Sequence, residues 1–208
     1  MRLLIVLFAS FLLSTAAAAA TVLDDKGRPD ALLVAQFVAT FAPQIGDYPP
    51  VFSSREQQEQ VHAKTLQAVQ ELTSADLSAV RDQALLANIA QVFSMAHNLD
   101  LGTSQQAKST FEQALALDPE NRRTNYLFGM HLVSTRAYHF QSLPYLQKAL
   151  ALGERDAMYT IGLLMVQSGE TEAGLEVLQA YADKAPQPET ALRLIQTINA
   201  GKLGFGVK

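Results

Sequence analysis

Small and large residues alternate at helical spacing between Ala107 and Ala114, and this pattern constrains the fold of the 208-residue chain more than any other feature. Ala107, Phe111 and Ala114 are separated by four and three residues, Pro119 follows after five more, and Gly129 lies ten residues beyond it. On a helix, this spacing places two small side chains and one large side chain on a single face. Because small side chains let a second helix approach closely, the pattern predicts a tightly packed pair of antiparallel helices.

The same small–large–small order recurs further along the chain. Two later triplets have it: Ser142/Leu146/Ala149 and Ala173/Val177/Ala180, the second more weakly. The second triplet lies 35 residues after the first, and the third lies 31 residues after the second. The glycines of the partner helices, Gly129 and Gly162, lie 33 residues apart. A recurring unit of this length is typical of stacked helix–turn–helix repeats.

Residues 101–186 resemble the tetratricopeptide repeat family. The middle unit matches best, through residues of both its helices: Asn125, Phe128, Gly129, Leu132, Ser142, Leu146 and Ala149. The resemblance implies an all-α fold, a short helical solenoid of about three repeats at about 88–119, 122–153 and 155–186, closed by a capping helix over 188–199. Two departures predict irregular stacking: Met95 and Ala96 stand where the first unit lacks a glycine, and Pro144 requires its helix to start late or to be kinked.

The first twenty residues have the layout of a secretory signal peptide, with Arg2, an apolar run over 3–13 and A-x-A sites that predict cleavage between Ala18 and Ala20. The alternative is an uncleaved membrane anchor, because residues 3–20 span 18 positions. The chain has no Cys and no N-x-[ST] sequon, whereas a secreted eukaryotic domain usually carries disulfides and glycosylation sites. We therefore expect a bacterial periplasmic protein that meets the membrane only through the signal peptide before cleavage.

Residues 21–53 are expected to form a leader, a short helix and a linker. The leader over 21–29 is predicted to be loose, the helix to be capped by Asp30 and ended by Pro43, and the linker over 44–52 to be extended, since it holds a glycine and two prolines. Residues 54–200 are expected to form the helical domain, in which 54–84 is either a degenerate repeat or an unrelated helical cap. Residues 201–208 are predicted to be a flexible tail, or a segment that docks by strand addition.

Several local patterns predict helix ends within this domain. Ser53 and Glu56 form a capping box for a helix that is predicted to run to about residue 72. The apolar stripe of this helix consists of Val61, Leu66, Val69 and Leu72. Residues 76–99 are either one long helix or two helices joined near 81–83. Gly102 predicts a helix stop in the left-handed conformation, and Thr103 with Gln106 forms a second capping box.

The resemblance also implies where a partner binds, because the first helices of successive family units line the concave face. The inward positions of the second and third units are Arg123, Tyr126, Met130, Val133, Ser134, Asp156, Tyr159, Leu163, Val166 and Gln167. Of these, the candidate binding residues are Arg123, Tyr126, Met130, Tyr159, Leu163 and Gln167. The alternative is that the extra helices fill the groove and make these residues ordinary core.

The remaining motifs favour binding over catalysis. The chain has no G-x-S-x-G elbow, Walker loop or G-x-G-x-x-G, and its histidines (His62, His97, His131 and His139) lack the neighbours of a zinc site, so no metal or cofactor is predicted. Without Arg2, the chain has 15 Lys and Arg against 20 Asp and Glu, a formal net charge of −5, and it has no basic run that would suit a nucleic acid.

The expected function is a non-enzymatic adaptor or assembly factor that binds a peptide or helix of another envelope protein. The alternatives are a regulatory subunit or enzyme of cell-wall or carbohydrate metabolism, and a self-assembling structural protein.

Overall fold

The computed structural model describes residues 22–135 and 139–202. In these ranges nine α-helices follow one another: α1 Ala31–Ile45, α2 Arg55–Ser74, α3 Gln83–His97, α4 Ser104–Leu117, α5 Arg122–Ser134, α6 Leu143–Ala151, α7 Ala157–Gln167, α8 Thr171–Ala182 and α9 Glu189–Asn199. Short 3₁₀ turns occupy Leu77–Ala79 and His139–Gln141. The all-α prediction is confirmed. The predicted signal peptide and most of the predicted tail lie outside the described residues.

Three helical pairs form the body of the molecule. Helix α3 packs against α4, α5 against α6, and α7 against α8, while α4 with α5 and α6 with α7 join each pair to the next. Helix α9 packs on α8 and covers the last pair. The predicted solenoid of about three helix–turn–helix units with a terminal helix is therefore confirmed. None of the helices in the described part of the chain is long and apolar enough to cross a membrane.

The glycines that the repeat pattern singled out lie at close helix contacts. A methyl group on Gly129 would lie 2.7 Å from Leu146 Cγ, and one on Gly162 would lie 2.8 Å from Leu178 Cγ. In the third pair the contact residues on α8 are Gly174 and Leu178, both buried, so the predicted triplet beginning at Ala173 was wrong by one residue. The small residue at this contact is Gly174, whereas the predicted triplet used the alanines at 173 and 180.

Helix α6 starts late, as Pro144 predicted. Ser142 precedes the helix, and Pro144 lies within its first turn, where a missing backbone N–H leaves no hydrogen bond unmade. In the first pair, Met95 and Ala96 are both buried in place of a glycine. The irregularities of sequence are therefore absorbed without breaking the stack.

The N-terminal helices pack against the first pair of the solenoid. Both α1 and α2 contact α3, and the apolar side chains of α1, including Phe37 and Phe41, join those of α3 in one core. The predicted leader is not loose at its start, because Val22 belongs to this core and Leu23 packs against it, while residues 25–28 are exposed. Val22 is fully buried and its backbone N–H donates to Glu71 Oε2 of α2 at 2.8 Å.

Four local predictions of helix structure were wrong. Pro43 lies inside α1, which continues to Ile45. The proline removes only one backbone N–H donor, and the helix is closed at Gly46, whose N–H donates to the Ala42 carbonyl. The cap of α2 is Ser54 with Gln57, one residue later than predicted: Ser54 Oγ accepts from Gln57 N at 3.1 Å.

Thr103 does not cap α4. Its hydroxyl donates to the Phe93 carbonyl at 2.6 Å and ties the two helices of the first pair together, a long-range contact that sequence spacing cannot show.

Leu66 is 38% exposed, and Thr65 and Ala68 take the core positions of α2 instead. The stretch 76–99 is broken at 80–82, where Asp82 caps α3 by accepting from Leu85 N, so the two-segment alternative is the nearer one. Gly102 has φ +70°, as its predicted stop requires.

Replacing Asp30 by alanine is expected to cost about 1 kcal/mol in the free energy of unfolding, because Asp30 Oδ1 accepts from both Leu32 N and Leu33 N at 2.9 Å. Asp30→Asn keeps an acceptor and is the matched control. Urea titration followed by circular dichroism measures both variants. An Asp30→Ala midpoint equal to that of Asp30→Asn would contradict the role of this cap.

Candidate functional site

Two clefts open on the face formed by the first helix of each pair. The first cleft, about 290 Å³, lies between α3 and α5 and is bordered on one side by residues 46–48 of the α1–α2 linker. The second, about 450 Å³, lies between α5, α7 and the residues that lead from α8 into α9. Their linings overlap at Tyr126 and Met130 of α5. We refer to the two clefts joined at these residues as the inner groove.

Four tyrosines of the inner groove come from separate parts of the chain. Tyr48 borders the first cleft, Tyr126 lines both clefts, and Tyr159 and Tyr181 line the second. The rings of Tyr159 and Tyr181 lie 5.9 Å apart at an angle of 58°. Such rings offer rigid, amphipathic contact area at low entropic cost, which suits recognition of a polypeptide.

Two aspartates make the inner groove negative. Asp47 lies in the first cleft and Asp156 in the second. Burial, followed by the charges of Asp156, Asp47 and Glu154, raises the pKa of Tyr126 to about 12, so its phenol stays neutral and keeps its proton to donate. The pKa of Tyr181 is also raised, first by burial and then by Asp156.

The six candidate binding residues divide between the groove and its surroundings. Tyr126, Met130 and Tyr159 line the inner groove, and Thr160 Oγ1 donates to Met130 Sδ at 3.4 Å. Leu163 is half-buried further along α7 and lines neither cleft. Val133 and Ser134 line the first cleft, and Val166 instead packs against Gly174 of α8.

Arg123 and Gln167 make contacts within the chain. The Arg123 guanidinium donates from Nη1 to Asn88 Oδ1 at 3.0 Å and from Nη2 to Gln91 Oε1 at 2.7 Å, which joins α5 to α3. Gln167 Oε1 lies 2.8 Å from His139 Nε2. Binding of a partner by Arg123 would therefore require it to exchange two internal hydrogen bonds.

Sequence reasoning missed the contribution of the α1–α2 linker. Asn98 of α3 holds that linker in place, because its Nδ2 donates to the carbonyls of Ile45 and Gly46 at 3.0 and 3.4 Å. Its Oδ1 is buried without a hydrogen-bond partner in the described structure. The one signal in the sequence was the acid–aromatic pair of Asp47 and Tyr48 within a proline-rich stretch.

A buried polar network lies behind the first cleft. His131 Nε2 is 3.2 Å from the Ser104 carbonyl and Nδ1 is 3.0 Å from Ser94 Oγ. Because a carbonyl only accepts, Nε2 carries the proton and Nδ1 accepts from the serine. Burial lowers the pKa of His131 to about 4, with the nearby His97 lowering it further, so the ring is neutral.

The histidines do not converge on one site. His139 lies against the Val133 carbonyl and Gln167, away from the partners of His131, and His62 is exposed on α2. Within residues 22–135 and 139–202, no three His, Asp or Glu side chains come together in an arrangement that could hold a metal ion.

Comparison with known proteins identifies the fold. The sequence matches no protein-family model and no curated protein. Its structure is similar to the crystal structure of MamA, with a TM-score of 0.54 and 16% identity over 73% of this chain and 88% of that one. It is also similar to YrrB, described as a TPR protein with an unusual peptide-binding site, with a TM-score of 0.49 and 19% identity over 86% of this chain and 81% of that one. The chain has a tetratricopeptide-like solenoid fold.

Proposed function

We propose that this protein is a non-catalytic adaptor or assembly factor that holds a peptide or a helix of another protein in its inner groove. The observation that carries the proposal is the continuity of the two clefts at Tyr126 and Met130, which gives a surface that reaches across all three helical pairs. A solenoid preforms such a surface without closing it, so binding needs little reorganisation. An adaptor of this kind uses no cofactor.

The chemistry of the groove supports binding by contact area. Its tyrosines provide aromatic anchors, Met130 provides an adaptable apolar surface, and polar groups surround them. The two aspartates lie in different clefts and so do not form the converging pair that general acid–base hydrolysis requires. These features favour an adaptor over the alternative of an enzyme acting on the cell wall or on carbohydrate.

The periplasm is the location that we propose. It rests on the signal-peptide pattern of the first twenty residues, and on the lack of cysteines and N-x-[ST] sequons, which disfavours a secreted eukaryotic domain. The partner is then another envelope protein. Expression of the full chain in a bacterium, followed by mass measurement of the periplasmic fraction, is expected to give a chain that begins close to residue 21. Recovery of the intact chain in the membrane fraction would favour the uncleaved anchor.

Substitution of Tyr126 and Tyr159 by alanine is expected to abolish partner capture. Each aromatic anchor of an interface contributes about 2 kcal/mol, so losing both should lower the affinity for the partner by up to about a thousand-fold. Crosslinking in the native envelope, followed by isolation of the protein with its partner, compares the wild type with Tyr126→Ala/Tyr159→Ala. We expect one specific protein to be captured by the wild type and lost from the variant.

Phe140→Ala is the matched control, because Phe140 is 77% exposed and lines neither cleft. It should capture the partner as the wild type does. Circular dichroism of the double variant must retain the helical signal, since a large loss of helix would show that these tyrosines are core. Equal capture by the wild type and a folded double variant would contradict the proposal.

A further inference from the structure

We propose that the inner groove takes a positively charged segment of the partner protein, with lysine or arginine side chains seated beside Asp47 and Asp156 against the tyrosine rings. This inference rests on the proposed peptide-binding function and specifies the chemistry of the partner. Two features of the described residues point to a cation-bearing peptide: the charge of the lining and the aromatic rings.

The lining of the inner groove carries negative charge. Among the described residues that line the two clefts there are two aspartates and neither a lysine nor an arginine. His131, which also borders the first cleft, is neutral and held between Ser94 and Ser104. A basic segment is electrostatically complementary to such a lining, while an acidic one is repelled.

The cations nearest in sequence are engaged or placed outside the groove. Arg123 donates both terminal nitrogens to Asn88 and Gln91. Arg155 and Lys184 line neither cleft, but they border a recess of about 150 Å³ that shares Asp156 and Tyr181 with the second cleft. Within the inner groove itself, Asp47 and Asp156 are the charged side chains that a ligand meets.

Asp156 does not cap the helix that it precedes. It precedes α7, yet its side chain accepts no capping hydrogen bond from that helix. Its carboxylate instead interacts with the hydroxyl of Tyr181, whose ring lies 5.9 Å from that of Tyr159. An ammonium or guanidinium group placed here would meet a carboxylate and aromatic faces together, the combination that binds cations most strongly in a partly desolvated cleft.

The charged acceptor of the first cleft is the carboxylate of Asp47, which belongs to its lining. Asn98 also lines this cleft, but its amide Oδ1 is enclosed by protein and is not exposed to a ligand. Lysine supplies three donors and arginine five, with no acceptor, so a basic side chain matches this inventory whereas a carboxylate does not.

Three labelled peptides of about ten residues test the proposal. They share an Ala/Leu framework and carry Lys, Gln or Glu at the same three positions, and fluorescence anisotropy with the full-length protein measures their dissociation constants. We expect the Lys peptide to bind about ten-fold more tightly than the Gln peptide, and the Glu peptide to bind most weakly. Raising the salt concentration should reduce the preference, since screening weakens exposed charge pairs.

Charge-neutralising variants locate the contact. Asp47→Asn and Asp156→Asn should each weaken binding of the Lys peptide by about five-fold and leave the Gln peptide unchanged. Glu176→Gln is the matched control. Glu176 is exposed on α8 and lines neither cleft, and its replacement by glutamine removes the same charge. It should leave all three affinities unchanged.

The outcomes separate this inference from the function on which it rests. Equal or tighter binding of the Gln or Glu peptide, lost in Tyr126→Ala/Tyr159→Ala, would overturn the charge preference and leave the peptide groove in place. Loss of the Lys preference in Glu176→Gln to the same degree as in Asp156→Asn would also overturn it, because the effect would then follow net charge alone. Binding of none of the peptides would overturn the peptide groove together with this inference.

Discussion

Gly174→Ala is expected to lower the free energy of unfolding by about 2 kcal/mol, although alanine is the better helix former. Gly174 lies in the first turn of α8, where a methyl group would come 2.6 Å from Val166 Cγ2, 2.7 Å from the Gly162 carbonyl oxygen and 2.9 Å from Val166 N. Two of these atoms belong to the backbone of α7 and cannot rotate away. Relief therefore requires the two helices to separate, and overpacking of this kind costs about 1–3 kcal/mol.

Helix propensity acts in the opposite direction, and this makes the sign of the change informative. Replacing a helical glycine by alanine is worth up to about 1 kcal/mol of stabilisation where nothing obstructs the side chain. Urea titration followed by circular dichroism gives the free energy of unfolding. A variant as stable as the wild type, or more stable, would show that α7 and α8 do not approach as closely as described.

Glu176→Ala serves as the control in the same helix. Glu176 is exposed, so its replacement changes propensity but no packing, and its effect should stay within about 0.5 kcal/mol. Gly162→Ala tests the same contact from α7, where a methyl group would lie 2.8 Å from Leu178 Cγ and 3.0 Å from the Gly174 carbonyl oxygen. It should be destabilising too.

The second large effect is a loss of stability on acidification, carried by His131. The pKa of His131 is about 4 in the folded protein, against 6.5 for an ordinary histidine. Between pH 6.5 and pH 4, His131 is protonated in the unfolded chain but stays neutral in the folded protein, so acidification stabilises the unfolded state. At about 1.4 kcal/mol per pH unit, this difference removes about 3 kcal/mol between pH 6.5 and pH 4. The contribution is fully present above pH 6.5 and falls no further below pH 4.

Comparison with a His131→Gln variant isolates this contribution from that of the carboxyl groups. The variant should lose some stability at neutral pH, since His131 contacts Ser94 and Ser104, but its stability should fall less steeply between pH 6.5 and pH 4. His62→Gln, which replaces an exposed histidine, is expected to keep the wild-type pH dependence. An NMR titration of the His131 ring with a midpoint near 6.5 would contradict the prediction directly.

Regular local patterns were the part of the fold that could be predicted. The face made by Ala107, Phe111 and Ala114 is fully buried, and the recurrence of that face with Gly129 and Gly162 led to the three helical pairs. Pro144 and Gly102 were interpreted correctly, because their backbone restrictions act within a few residues of chain. Such features need no knowledge of what packs against them.

The failed predictions involve partners that are distant in sequence. Thr103 has the spacing of a capping residue, yet its hydroxyl bonds to the Phe93 carbonyl of the neighbouring helix. Residues 22–29 have the composition of a loose leader, yet Val22 is fixed against Glu71, 49 positions away. In both cases a long-range contact outweighs a local preference of about 1 kcal/mol.

The inner groove shows the same division. Tyr126, Met130 and Tyr159 were assigned to the concave face because the resemblance to tetratricopeptide repeats implies that the first helix of each unit lines it, and the structure has all three lining the clefts. Asp47 and Tyr181 were not predicted. Their approach depends on how the α1–α2 linker and the end of α8 pack on the first helices.

The amino-acid sequence by itself determined the all-α class, the number of helical pairs and the helix faces that pack together, because these depend on side-chain size and spacing along one helix. The tertiary structure alone decided the one-residue register of the α7–α8 contact at Gly174, the placement of the linker against Asn98, and the negative charge gathered in the inner groove. The physical reason is that hydrogen bonds and close packing select among several locally equivalent arrangements only when both partners are in place.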